Sequence, residues 1–263
     1  MTDPHRQFID KLEEIQHLHG AMAVLGWDQE VVMPSGAAAN RAAQRSVLAG
    51  LIHERMVAPE LGDLMAELGD LMAELGDLMA EPGDLMAEPN DQPEPPTELA
   101  ANLRVFGRLR DRALKLPERL VKELAEAVGL AQPQWAVARQ HDDWPSFAPH
   151  LQRIVALKHE EAAALQLGDE PYDSLLDEFE PGARVARLLP VFRDLRTRLT
   201  DLLGKIDTSS WPRLPAGPYA VDRQIRLSHD VLAAMGYDFD HGRLDVSAHP
   251  FTESLGHDDV RVT

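Results

Sequence analysis

Four copies of one heptad, ELGDLMA, ELGDLMA, ELGDLMA and EPGDLMA, run without interruption from residue 60 to 87. Leu61, Leu64, Leu68, Leu71, Leu75 and Leu78 fall alternately three and four apart. That spacing puts every leucine on one side of a helix and fits no strand, whose faces alternate residue by residue. Two readings follow. One is a coiled-coil seam that receives a partner. The other is an expanded helix end or helical hairpin. It is favoured by a Gly in each copy that costs roughly 1 kcal/mol in a helix interior, and by Pro82, which breaks the last turn. Copies this alike point to tandem duplication, so the stretch reads as an insertion dispensable for folding of the rest. Residues 88–97, EPNDQPEPPT, form an acidic, Pro-rich linker after it.

The heptads also explain the charge. The chain of 263 residues carries a formal net charge of −18. Most of that excess lies between Val57 and Leu99, where acids are frequent and Lys and Arg are absent. The remainder is only mildly acidic, with no basic stripe, which argues against a nucleic-acid partner. With no cysteine in the chain, disulfides, thiolate metal sites and a cysteine nucleophile are excluded. The start, MTDPHRQFIDKLEE, lacks an apolar leader core, and no apolar run is long enough for a membrane span. A cytoplasmic protein without a membrane partner is expected.

Outside the repeat the apolar residues recur at three and four, so the predicted fold class is mainly α. Phe8, Leu12, Ile15 and Met22 share a face and predict a helix over about 4–25, ended by the turn-rich GWDQEVVMPSG. Further helices are predicted over about 37–56, 98–115, 117–131 and 146–167. Another spans 183–206, with Val185, Leu188, Phe192, Leu195, Leu199, Leu202 and Ile206 on one stripe. Asp222 is a candidate cap for a helix running to about Met235. RLDVS and DVRVT alternate and read as short strands near the C-terminus.

Candidate chemistry is sparse. A helical zinc-protease site needs His-Glu-x-x-His, which sets two imidazoles on one face with the glutamate beside them. His53-Glu54 and His159-Glu160 each lack the second histidine, so both read as surface or packing residues. His229, His241, His249 and His257, with Asp238, Asp240, Asp245, Asp258 and Asp259, crowd the last segment. Their spacing matches no common ligand pattern, and a polar loop set is the simpler reading. Phosphate-loop, nucleotide-binding and nucleophile-elbow motifs are absent.

HPF at 249–251, followed by Asp259, Arg261 and Thr263 as D-x-R-x-T, resembles the paired signature of the carboxypeptidase Taq family of thermostable metallocarboxypeptidases. The likeness extends to LGWDQEVVMPSGAAANRAAQRSVLAGLIHE at 25–54, YDSLLDEFEPG at 172–182 and MGYDFDHGRLDVSAHPF at 235–251. It covers essentially all of the chain except the heptads. The resemblance implies the helical half of a cleft fold similar to neurolysin and angiotensin-converting enzyme. It also implies peptide substrates, cleavage of single residues from their C-termini, and zinc or cobalt as the metal. In that family the metal-binding helix follows D-x-R-x-T, and here Thr263 is the last residue.

The expectation is therefore a single N-terminal portion, 1–263, with no catalytic or metal-ligating residue of its own, inactive alone. His249, Pro250, Phe251, Asp259, Arg261 and Thr263 are its substrate-cleft residues by resemblance. His249 and Arg261 either meet substrate or brace the metal helix; alternatively they are structural, with Arg261 paired to Asp259 or Asp245. The partners implied are a separate C-terminal half or a second copy in a homodimer. A rival reading is a non-catalytic helical remnant, or an interaction module that uses the acidic heptads. The late stripe from Val185 to Ile206, RLDVS and DVRVT are the faces expected to be left uncovered.

Overall fold

A computed structural model describes residues 3–79, 97–207, 211–212 and 216–263; the fourth heptad and the linker up to residue 96 lie outside them. Helices dominate, in the order α1 (Pro4–Val31), a 3-10 turn (Ser35–Ala37), α2 (Ala38–Val57), α3 (Pro59–Met79), α4 (Glu98–Lys115), α5 (Glu118–His141), α6 (Trp144–Leu165), α7 (Pro171–Leu176), α8 (Val185–Lys205) and α9 (Val221–Ala234). A small sheet of β1 (Gly242–Leu244), β2 (Thr252–Gly256) and β3 (Asp259–Val262) ends the chain. The mainly α class with short C-terminal strands is what the periodicity predicts.

Local chemistry sets several boundaries. Asp3 accepts a hydrogen bond from the backbone N–H of His5, with Pro4 at the first helical position. Thr97 accepts from Ala100 N–H and starts α4. Asp143 accepts from Ser146 N–H and starts α6. For α9 the cap is Ala220, and Asp222 instead lies in the first turn, where a carboxylate favours the positive end of the helix.

The first helix runs further than its sequence suggests. Gly26 and the polar residues after it predict a turn, yet α1 continues to Val31. Packing overrides propensity here. Trp27 and Gln29 are buried, and the Gln29 amide donates to Gly129 O of α5 at 2.8 Å. Arg41 of α2 donates to Leu25 O and pairs with Asp28, holding the last turn from outside. Met33 N–H then closes on Asp28 O, just before Pro34. Likewise α5 passes through Pro133 to His141, ten residues beyond the predicted end, because α2 and α6 flank it.

Two packed regions make the core. In one, Phe8, Leu12 and Ile15 of α1 meet Met56 of α2 and Leu61 and Leu68 of α3, with Leu99, Leu103 and Phe106 of α4 against them. In the other, α5 lies between α2 and α6, burying Ala42, Leu120, Ala131, Ala138, Leu157 and Leu165. Three heptad leucines face inward: Leu61 and Leu64 of the first copy and Leu68 of the second are buried. Leu71 is already exposed.

The last two helices differ from the rest. On α8, Val191, Phe192, Leu195, Leu199, Leu202 and Leu203 are exposed, and on α9 so are Val221, Leu227, Val231 and Met235. Neither helix takes part in the extensive packings that join α1 to α6. The stripe at 183–206 is thus uncovered, as expected. The strand segments are only in part: DVRVT is half-buried along β3, whereas in RLDVS Arg243 and Val246 are exposed. Between them in sequence, β2 packs on α1.

That last contact requires a glycine. A Cβ at Gly20 of α1 would sit 2.5 Å from Leu255 O of β2, closer than any real side chain tolerates. Gly20→Ala is expected to push β2 off α1, seen as faster hydrogen exchange over 252–262 with α2, α5 and α6 unaffected. Leu61→Ala is expected to cost about 2–5 kcal/mol. Deleting residues 67–73 brings an identical copy into register, so thermal unfolding should stay within a few degrees. A large loss on that deletion would show that the later heptads carry stability themselves.

Candidate functional site

The sheet order is β1-β3-β2, with β3 parallel to β1 and antiparallel to β2. In this register Arg243, Arg261 and Glu253 stand side by side on one face. That face meets α1. The Arg243 and Arg261 guanidinium carbons lie 5.1 and 4.7 Å from the centre of the buried Trp27 ring, within cation–π range. Each arginine is held by a carboxylate two residues away on its own side of the sheet. Asp245 takes both Arg243 Nε (2.7 Å) and Nη2 (2.5 Å). Asp259 takes Arg261 Nη2 at 2.6 Å and Nε closer still.

Those bonds fix the charges. The hydrogen bond from Arg261 holds the Asp259 carboxyl below the usual carboxylate range, and the same bond raises the Arg261 guanidinium above the usual arginine value. Gly242 makes room for Tyr237, whose hydroxyl donates to Val260 O at 2.6 Å and locks β1 beside β3.

The HPF loop is tied to the other motif by its last residue. Phe251 N–H donates to Thr263 Oγ1 at 2.9 Å, and Thr263 N–H donates back to Phe251 O at 3.0 Å. The Ser247 hydroxyl donates to His249 O at 2.7 Å and lies 2.7 Å from Thr263 Oγ1. Since a carbonyl can only accept, the 2.9 Å contact of His249 Nδ1 with Pro250 O puts the proton on Nδ1. The His249 ring sits edge-on to Trp135 of α5, 6.2 Å between centres. Arg139 covers Trp135 and donates to Ala248 O at 2.9 Å.

The six expected cleft residues thus fall into two linked groups. Phe251 and Thr263 form one clamp, which presents His249 and the exposed Pro250 on the α5 side. Asp259 and Arg261 form the other, on the α1 side under Trp27. Of the roles open to Arg261, pairing with Asp259 is the one seen. The crowded histidines do not converge. His229 stacks on Phe239, His241 lies 3.8 Å from Asp238, and His257 pairs with Asp258. His53 Nε2 ties down the end of α4 through Ala113 O and Leu116 O, and Glu160 pairs with Arg119. Among the described residues no group of three or more His, Asp or Glu side chains is placed to hold a metal ion.

Beside the HPF clamp lies a cavity of about 410 Å³, bounded by Gly26, Glu30, Arg45, Trp135, His249, Phe251 and Glu253. Past Arg45 and Glu253 it meets a larger groove of about 1010 Å³ between α1, α4 and β2. Arg45 lies over the bare backbone of Gly26. Its Nε is buried without a partner, and its bond to Gln29 Oε1 is long at 3.4 Å. Burial pushes the Glu30 carboxyl above the usual carboxylate range, against the hydrogen bond from Gln132 and the charges of Arg45 and His249.

Sequence reasoning missed Trp27, Glu30, Arg45, Trp135 and Glu253. The signal that could have found the first two is the helical phase of α1, in which Trp27 continues the turn of Phe8, Leu12 and Ile15 beyond Gly26.

Comparison with known proteins adds identity to geometry. Residues 7–263 match the family model described as carboxypeptidase Taq (M32) metallopeptidase. Thermostable carboxypeptidase 1 of Thermus thermophilus is 36% identical over 275 residues, covering 98% of this chain and 50% of that protein. The BsuCP crystal structure superposes with a TM-score of 0.84 at 27% identity, over 98% of this chain and 49% of that one. The solved Pyrococcus furiosus carboxypeptidase gives 0.74 at 30%, over 100% and 50%. The chain spans about half the length of the curated relatives it matches.

The two clamps make separate predictions. Trp27→Leu should free the sheet from α1, read as protease cleavage within 240–262, whereas Trp27→Phe keeps a ring under the arginines and should be mild. Asp259 has a depressed folded pKa, so its contribution is present above the unfolded value of about 3.9. It is lost as pH falls through the depressed folded value. Asp259→Asn should flatten the acid limb of the stability profile; an unchanged limb would show that the pair contributes nothing.

Proposed function

The chain belongs to the carboxypeptidase Taq (M32) metallopeptidase family, and on that premise we propose that it forms the N-terminal part of a metal-dependent carboxypeptidase. In this reading the enzyme removes single residues from peptide C-termini in the cytoplasm. No helix among the described residues is long and apolar enough to cross a membrane. The observation that carries the reading is the joining of the two signature motifs. HPF and D-x-R-x-T lie apart in sequence, yet Thr263 bonds both N–H and C=O of Phe251. Such a clamp fixes one wall of a peptide cleft, with His249 exposed on it.

The residues present do not fit a catalytic metal. The sequence has no His-Glu-x-x-His, and no three of the described histidines and carboxylates come together to hold a metal ion. We therefore assign zinc or cobalt, and the base that works with it, to polypeptide beyond these 263 residues. His249, Pro250, Phe251, Asp259, Arg261 and Thr263 then act as cleft wall and support rather than as ligands.

The exposed stripes of α8 and α9 support the same reading. Each large apolar side chain left in water forfeits roughly 1.5–3 kcal/mol of burial. A covering partner is expected, either the remaining half of such an enzyme or a second copy in a homodimer. The rival reading, an interaction module built on the acidic heptads, is weakened because Leu61, Leu64 and Leu68 already serve the internal core.

The isolated chain should bind hydrophobic dyes, self-associate, and release no amino acids from peptides. Adding a polypeptide that carries the other half of a relative should suppress dye binding, raise the melting temperature and yield chelator-sensitive carboxypeptidase activity. A dye-silent monomer with a sharp, high melting transition, unchanged by that addition, would reverse the reading.

A further inference from the structure

The reading above uses His249 and Phe251 of the cavity beside the HPF clamp as cleft wall and gives no role to its charged residues Glu30, Arg45 and Glu253. We propose that the cavity binds a free α-amino acid as a zwitterion, with the carboxylate on Arg45, the ammonium between Glu30 and Glu253, and an apolar side chain against Trp135 and Phe251.

The charges argue for this ligand. Arg45 has no ion-pair partner within contact distance among the described residues, and its buried Nε is without an acceptor. Glu30 and Glu253 both act on it electrostatically, but neither touches it. A guanidinium and two carboxylates thus line the same void. Glu253 has lost its natural neighbour: it stands opposite Arg261 in the sheet, yet Arg261 is occupied by Asp259. Glu30 is satisfied on one side only, by Gln132.

A simple anion placed here would meet two carboxylates, and a simple cation would leave Arg45 unanswered. A molecule with both charges a few ångströms apart satisfies both. The volume, about 410 Å³, is at the small end of ligand pockets and accommodates one amino acid. Trp135 and Phe251 supply the apolar wall, and the Gly26 backbone leaves the guanidinium open to the cavity. Binding here is independent of any peptidase activity.

Titrating the purified 263-residue chain with L-leucine, followed by tryptophan fluorescence and calorimetry, tests the proposal. Saturable one-to-one binding is expected. L-leucinamide, which lacks the carboxylate, and N-acetyl-L-leucine, which lacks the ammonium, should each bind at least about tenfold more weakly, because each loses a charged contact. Arg45→Gln should abolish binding and Glu253→Gln should weaken it, with unchanged thermal unfolding as the control. If Arg45→Gln fails to fold, the two analogues decide on the unaltered chain. Equal affinity for N-acetyl-leucine would make this a plain anion site, and equal affinity for leucinamide a cation site; either overturns the proposal. So would leucine binding that survives in folded Arg45→Gln, or no saturable binding of leucine at all. A failure to reconstitute peptidase activity leaves these outcomes untouched.

Discussion

The indole of Trp27 under Arg243 and Arg261 is the contact on which the C-terminal part of this chain depends. Three strands of three to five residues have no core of their own and are too short to persist unsupported. They persist because α1 offers one flat aromatic face, and two adjacent strands each set an arginine on it. Bare guanidinium groups against a buried ring would repel each other and lose hydration. Asp245 and Asp259 remove that difficulty by taking two N–H groups from each arginine, so each unit meeting the ring is close to neutral. Gly20 then lets β2 approach the same helix at backbone distance. The D-x-R-x-T motif therefore acts first as a fastener, and its Thr263 passes the resulting rigidity to the HPF loop.

What could be read from sequence follows how local the cause was. The helices are legible because amphipathic spacing is written within each segment, and the class and most of their centres follow from it. The end of α1 is not legible, since Gly26 and its polar neighbours argue for a turn. They are held helical by Arg41 of α2 and by Gly129 of α5, which accepts from Gln29 of α1 itself. The short α7 and strand β2 fail for the same reason: six and five residues carry too little pattern to stand above their surroundings. The Asp259–Arg261 pair was one of several open alternatives and needed the strand register to select it. Glu30, Arg45, Trp135 and Glu253 line one cavity only because four distant segments meet.

The two ends of the helical array show opposite economies of apolar surface. In α3 a seam that resembles a partner site is consumed internally, because Leu61, Leu64 and Leu68 complete the layer begun by Phe8 and Ile15. In α8 and α9 the stripes are as regular but face water. Periodicity reveals that a face exists, and only the surrounding packing determines what covers it. Glu60, Asp63, Glu67 and Asp70 of α3 stay exposed while Leu61, Leu64 and Leu68 are turned in.

The fastener and the cavity are coupled through strand register. Glu253, Arg261 and Arg243 share a row, so the contact that puts the arginines on Trp27 also puts the Glu253 carboxylate toward Arg45. A shift of β2 by one residue would send Glu253 to the opposite face and bring Thr252 or Ser254 in its place. The cavity would then lose one of its two negative charges while keeping its size and aromatic wall. Arg45 would face Glu30 alone, and a site suited to a dipolar molecule would become nearly self-neutralised. The bulge between Ser254 and Gly256 lies just past Glu253, where it absorbs irregularity in the hairpin without moving that row. Anchoring on Trp27 thus does more than attach a sheet: it sets how much negative charge the cavity presents.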